Sequence, residues 1–190
     1  MIDLCRDNKF DIITMNSMVD FFLSWWLRSG RYRWSTLRRR LCEQQYLKTP
    51  LPKASSLEEI ESCLKQIKWH MEGLWHLYDS ISYPQTTWFQ KKDDCDGFAT
   101  LAAELLYRLN PDYNPILLTT IVRPIKRSHT VCVFDNLQGG LWYFDNSRLK
   151  QDNCETYNEI SLKISHRGQR LVCWDVCHHS TFKLLEFHRL

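Results

Sequence analysis

The amino-acid sequence predicts an α+β fold in which helices come first, followed by a loop, a buried helix and antiparallel strands. Three observations carry this expectation. Cys95, Phe98, Ala102, Leu105 and Leu109 form one apolar stripe at helical spacing. Strand-like runs follow at 116–122, 130–134 and 141–144. Residues Asn136 to Gly140 supply a turn between the last two runs, which makes them an antiparallel hairpin.

Taken in order, residues 1–47 read as helical, because Val19, Phe22, Leu23, Trp26 and Leu27 recur at helical spacing. Leu37 and Leu41 continue the pattern after a break at Ser29-Gly30. Thr49-Pro50-Leu51-Pro52 is a stop, which divides the chain into a helical extension (1–50) and a main domain (51–190). Ser56 with Glu59 forms a capping box, and the helix it opens is expected to run to about Tyr78 through Ile60, Leu64, Ile67, Met71 and Leu74. Residues 79–94, with Pro84 and the charged Lys91-Lys92-Asp93-Asp94, read as a loop. Asn110-Pro111 ends the central helix. Leu171 to Val176 and Thr181 to Phe187 are two further candidate strands.

Composition narrows the classes. The chain has 190 residues, 44% of them hydrophobic and 13% aromatic, which suits a packed core and excludes global disorder. A net charge of +3 is too small to argue for nucleic acid. The start lacks the basic stretch and apolar core of a secretory signal, and no apolar run is long enough to span a membrane. The eight cysteines are scattered singly and read as reduced thiols, so a cytoplasmic location is expected.

The chemistry centres on Cys95. It follows an irregular loop and opens an apolar helix, where unpaired N–H groups and the helix dipole favour a thiolate. The same N–H groups suit an oxyanion forming on an attacked carbonyl. A thiol nucleophile needs a base and a group to orient that base. His129 enters one strand of the expected hairpin and Asp145 leaves the other, so the hairpin makes them neighbours. The carboxylate would then fix the imidazole tautomer and steady the imidazolium.

The segment Lys92-Asp93-Asp94-Cys95-Asp96-Gly97-Phe98-Ala99 resembles the nucleophile motif of the transglutaminase-like cysteine peptidase superfamily. Ser128-His129-Thr130-Val131-Cys132-Val133 is similar to its His strand, and Leu141-Trp142-Tyr143-Phe144-Asp145-Asn146 to its Asp strand. The Asp145-Asn146 pair is closest to the bacterial transglutaminase-like cysteine peptidases, and the resemblance covers roughly residues 60–150. It implies a papain-like fold and attack on an amide carbonyl through an acyl-thioester. Water as acceptor gives a peptidase or amidase, and an amine gives a transglutaminase. The resemblance also implies an oxyanion donor upstream of the nucleophile, for which Gln90, Gln85 and Trp88 are the candidates. Asp93 departs from the pattern, standing where a Gly is common.

Other features read more plainly. Asp93, Asp94 and Asp96 suit a solvated loop or helix start better than a cation site, because no ligand loop accompanies them. Cys173, Cys177, His178 and His179 lack zinc-ligand spacing. Trp25, Trp26 and the arginines from Arg28 to Arg40 fit either a surface for a partner or membrane, or packing on the domain, and packing is favoured. Neither metal nor organic cofactor is expected. The expected partner is a protein or peptide substrate, with a small acyl donor as a further option. The residues leave open a non-catalytic binding or inhibitory module that keeps the fold.

Overall fold

The computed structural model describes residues 18–71, 80–165 and 169–190. They form an α+β arrangement around a six-stranded sheet in the order β6-β5-β4-β3-β7-β8. The strands are β3 (Ile116–Arg123), β4 (His129–Asp135), β5 (Leu141–Asp145), β6 (Arg148–Cys154), β7 (Arg170–His178) and β8 (Leu184–Arg189), and every neighbouring pair is antiparallel. Two short strands, β1 (Lys68–Trp69) and β2 (Lys92–Asp93), pair in parallel as a separate two-stranded sheet.

The central helix α5 (Cys95–Leu109) lies on one face of the sheet. Its Phe98, Leu101, Leu105 and Leu106 pack with Leu117, Cys132, Phe134 and Phe144 from the strands. On the other face, Ile160 and Ile164 of helix α6 (Tyr157–Ile164) cover Leu118, Val131, Val133 and Trp174. Both faces of β3 and β4 are therefore buried, which is why these strands lack the apolar–polar alternation of a half-exposed strand. Truncating a fully buried leucine of α5, such as Leu101 or Leu106, to alanine costs about 2–5 kcal/mol in such a core.

The N-terminal helical segment belongs to the same core. Helix α1 is described over residues 18–25, and Leu23 and Leu27 pack on Ile121, Val172 and Cys173 of the sheet. The expected break at Ser29-Gly30 does not occur. A π-helical turn (Trp26–Gly30) carries the chain into α2 (Arg31–Cys42). Gly30 is needed there for contact, since a Cβ would sit 2.3 Å from the Trp26 ring. Two arginines of the basic stretch are buried. Arg39 lies over the Tyr83 and Phe182 rings and donates to the Ile81 and Ser82 carbonyls, while Arg31 reaches the base of α5.

Two further expectations on helices and loops need correction. Helix α3 is Leu57–Leu64 and ends well before Tyr78, because the Lys68 and His70 N–H groups bond to the Lys91 and Asp93 carbonyls instead. Met71 is exposed coil, and Leu74 and Tyr78 lie outside the described residues, as do residues 1–17 of the N-terminal helical reading. The 79–94 loop contains helix α4 (Pro84–Gln90), with Pro84 at its first turn where the missing N–H costs nothing. Strand β6 and helix α6 were not anticipated. Among the described residues, no helix is long and apolar enough to cross a membrane.

Candidate active site

Cys95 is the first residue of α5, and the cap of that helix is built from its neighbours. The Asp94 side chain accepts a hydrogen bond from the Asp96 N–H at 3.0 Å. The N–H of Cys95 itself, at the first helical position, has no acceptor within the helix. Asp93 is anchored from two sides, accepting from Thr87 Oγ1 at 2.6 Å and from the Asp94 N–H at 2.9 Å. Asp96 is paired with Arg31, whose guanidinium also donates to Thr119 Oγ1 at 3.1 Å.

All three carboxylates are buried, so of the two expected readings the helix start holds and the solvated loop does not. Asp94, Cys95 and Asp96 are close enough to be considered as cation ligands, but the carboxylates are engaged in the cap and in the Arg31 pair. No such group among the described residues includes Cys173, Cys177, His178 or His179. The two cysteines are buried on β7, and the two histidines stack on each other at 4.8 Å.

The Cys95 side chain is 7% exposed, receives a hydrogen bond from the Thr130 backbone and lies 3.9 Å from Asp96 Oδ1. Burial, followed by the negative charges of Asp96 and Asp94, pushes its thiol pKa well above the ordinary value. The Thr130 N–H and Arg31 act in the opposite direction and do not overcome this. The expected thiolate is thus corrected to a neutral resting thiol. Desolvation and the flanking carboxylates oppose the helix N-terminus.

His129 opens β4 immediately before Thr130, and Asp145 closes β5. The turn at 136–140 that joins the strands is held by the Asn136 side chain, which accepts from the Gln138 and Gly140 N–H groups. Cys132 pairs with Phe144, so one step along the ladder Asp145 falls opposite Val131. The imidazole therefore reaches Asp145 diagonally, with His129 Nε2 2.7 Å from Asp145 Oδ1. This bond occupies Nε2 and leaves Nδ1 as the ring nitrogen available to another group.

Cys95, His129 and Asp145 line one cavity of about 580 Å³. Gln85, Trp88 and Gln90, which ride on α4, are not among its lining residues. Trp88 packs instead on the main core, with Lys91 over its ring. Trp69 lines the cavity, placed there by the pairing of β1 with β2, which sets it opposite Asp93. Sequence periodicity missed Trp69 because it assigned that segment to a continuing helix. The cavity also carries a set of basic side chains that no motif announced: Lys126, Arg127, Lys150 and Lys163.

No protein-family model matches this chain, and no curated protein matches it. The functional reading therefore rests on the geometry and chemistry of these residues.

Proposed function

We propose that this chain is a thiol enzyme that attacks amide or related acyl bonds, a transglutaminase-like cysteine peptidase or amidase with a papain-like core. In this reading it works in the cytoplasm on a protein or peptide substrate. The observation that carries it is the 2.7 Å bond between His129 Nε2 and Asp145 Oδ1 in a cavity that Cys95 also lines.

The steps follow from the arrangement. Cys95 Sγ attacks the carbonyl carbon while its proton passes to His129 Nδ1, so charge forms only as the bond forms. Asp145 steadies the resulting imidazolium through Nε2. The oxyanion is met by the Cys95 N–H at the tip of α5, and Trp69, which lines the same cavity where Gln90 does not, is the candidate for a second donor. The imidazolium returns its proton to the leaving nitrogen, the C–N bond breaks and an acyl-thioester remains. Water activated by the same nitrogen releases an acid, and an amine in its place completes transamidation.

One observation favours a second reading, a binding module that keeps the fold without turnover. The buried thiol, flanked by Asp94 and Asp96, is held neutral, which suits an inert cysteine. A peptidyl Michael acceptor followed by peptide mapping separates the two. The enzyme reading expects Cys95 to be modified well before the other cysteines and the label to be lost in His129→Ala. Equal labelling of all cysteines supports the binding module.

A further inference from the structure

The geometry points to an acidic peptide as the substrate, with an Asp or Glu side chain beside the attacked amide. This inference rests on the thiol-enzyme reading and specifies what that site accepts.

The first support is charge. Among the described residues four cationic side chains line the cavity, and Asp145 is the one carboxylate that does so, already bonded to His129. Lys126 and Arg127 lie on the turn that leads into β4, and Lys150 sits on β6 opposite Tyr143, so cations flank the His129–Asp145 pair from both sides. Lys163 is partly neutralised by Asp152 at 3.4 Å. Among the described residues Lys126, Arg127 and Lys150 have no carboxylate partner. Three like charges around one concavity attract an anion and repel a basic peptide.

The second support is hydrogen-bonding capacity. Among the described residues, both polar ends of the Gln169 amide are shielded from water and meet no partner, although Gln169 lines this cavity. Asn146 Oδ1, also on the lining, is in the same state. Shielded amide groups without partners are costly, and a peptide backbone supplies both the acceptor and the donor that Gln169 requires. A small inorganic anion would satisfy the cations and leave the Gln169 carbonyl unmet. Charge and amide together therefore select a carboxylate-bearing peptide.

The test uses three peptidyl electrophiles that differ only in the residue beside the reactive group: acidic, neutral or basic. The rate of Cys95 modification is read by mass spectrometry. The acidic probe should label Cys95 about tenfold or more faster than the neutral one, with the basic probe slowest. This ratio should shrink in high salt, because screening acts within about 8 Å already at physiological ionic strength. In the double variant Lys126→Glu/Arg127→Glu the acidic-over-neutral ratio should collapse or invert. Lys150→Gln, on a different strand, should lower it independently if the double variant fails to fold. A neutral probe that labels Cys95 readily, with an acidic-over-neutral ratio near one in the unaltered protein, overturns the acidic preference and leaves the thiol reading standing. Failure of every probe to favour Cys95 over the other cysteines overturns both.

Discussion

The Asp93 carboxylate fills the space that a side chain at position 97 would need: a Cβ on Gly97 would lie 2.0 Å from Asp93 Cγ. The departure of Asp93 from the expected glycine is thus matched within the same turn, where Gly97 supplies the bare backbone. Alanine at position 97 gains about 1 kcal/mol of helix propensity over glycine. Against this stands overpacking of a buried, doubly bonded carboxylate, which costs about 1–3 kcal/mol and wins. Gly97→Ala should therefore lower stability in urea unfolding, and should cost less in an Asp93→Gly background. Equal costs in both backgrounds would show that the two residues are not coupled.

Asp145 acts on His129 through a single bond at the edge of the cavity, where its side chain is one-third exposed. Its removal should therefore spare the fold and harm the chemistry. Asp145→Ala is expected to change stability by about 1 kcal/mol, the net worth of one hydrogen bond. The rate of Cys95 acylation should fall on the order of 10²–10⁴-fold, the worth of a positioned acid–base group. Melting curves and acylation kinetics on the same preparation check both halves.

Arg31 and Asp96 form a buried pair that ties α2 to the first turn of α5. Removing the cation alone strands a carboxylate beside the thiol. Arg31→Met should cost about 3–5 kcal/mol, whereas Arg31→Met/Asp96→Leu should recover much of it. Denaturant unfolding of the single and double variants decides this, and equal destabilisation by both would contradict it.

Asp175 lies buried beneath α2 and accepts a hydrogen bond from Tyr32 Oη at 2.6 Å. Burial raises its pKa from 3.8 to about 7, with the Tyr32 bond and Arg31 opposing. The folded state therefore holds a proton that the unfolded chain releases in this range. Stability contributed by the protonated form is lost as pH rises from 3.8 towards about 7 and changes no further above it. Asp175→Asn should flatten that slope, so its advantage over the unaltered protein should grow between pH 5 and 7 in urea titrations. Parallel pH profiles would contradict the assignment.

Much of the framework was legible because local signals and tertiary packing agree. The runs at 116–122, 130–134 and 141–144 are β3, β4 and β5, and Cys95 opens its helix behind an Asp94 cap. Ser56 does cap α3, accepting from the Glu59 N–H, although Glu59 turns back to the Ser55 N–H. The spacing of Thr156 and Glu159 carried the same signal for α6, and the Thr156 cap confirms that it was readable. Strand β6 gave no such sign. Its Arg148-Leu149-Lys150-Gln151-Asp152-Asn153 run is polar because it lies at the sheet edge. The neutrality of Cys95 was illegible for a different reason. It depends on burial and on Asp96 and Asp94 together, and sequence position alone weighs only the helix dipole.

The most direct test of the central claim is the intact mass of the protein mixed with an activated acyl donor and quenched in acid. The account predicts one added acyl group, mapped to Cys95, released by hydroxylamine and absent from both Cys95→Ala and His129→Ala. An adduct that forms at the same rate in His129→Ala, or none on Cys95 at all, would contradict it.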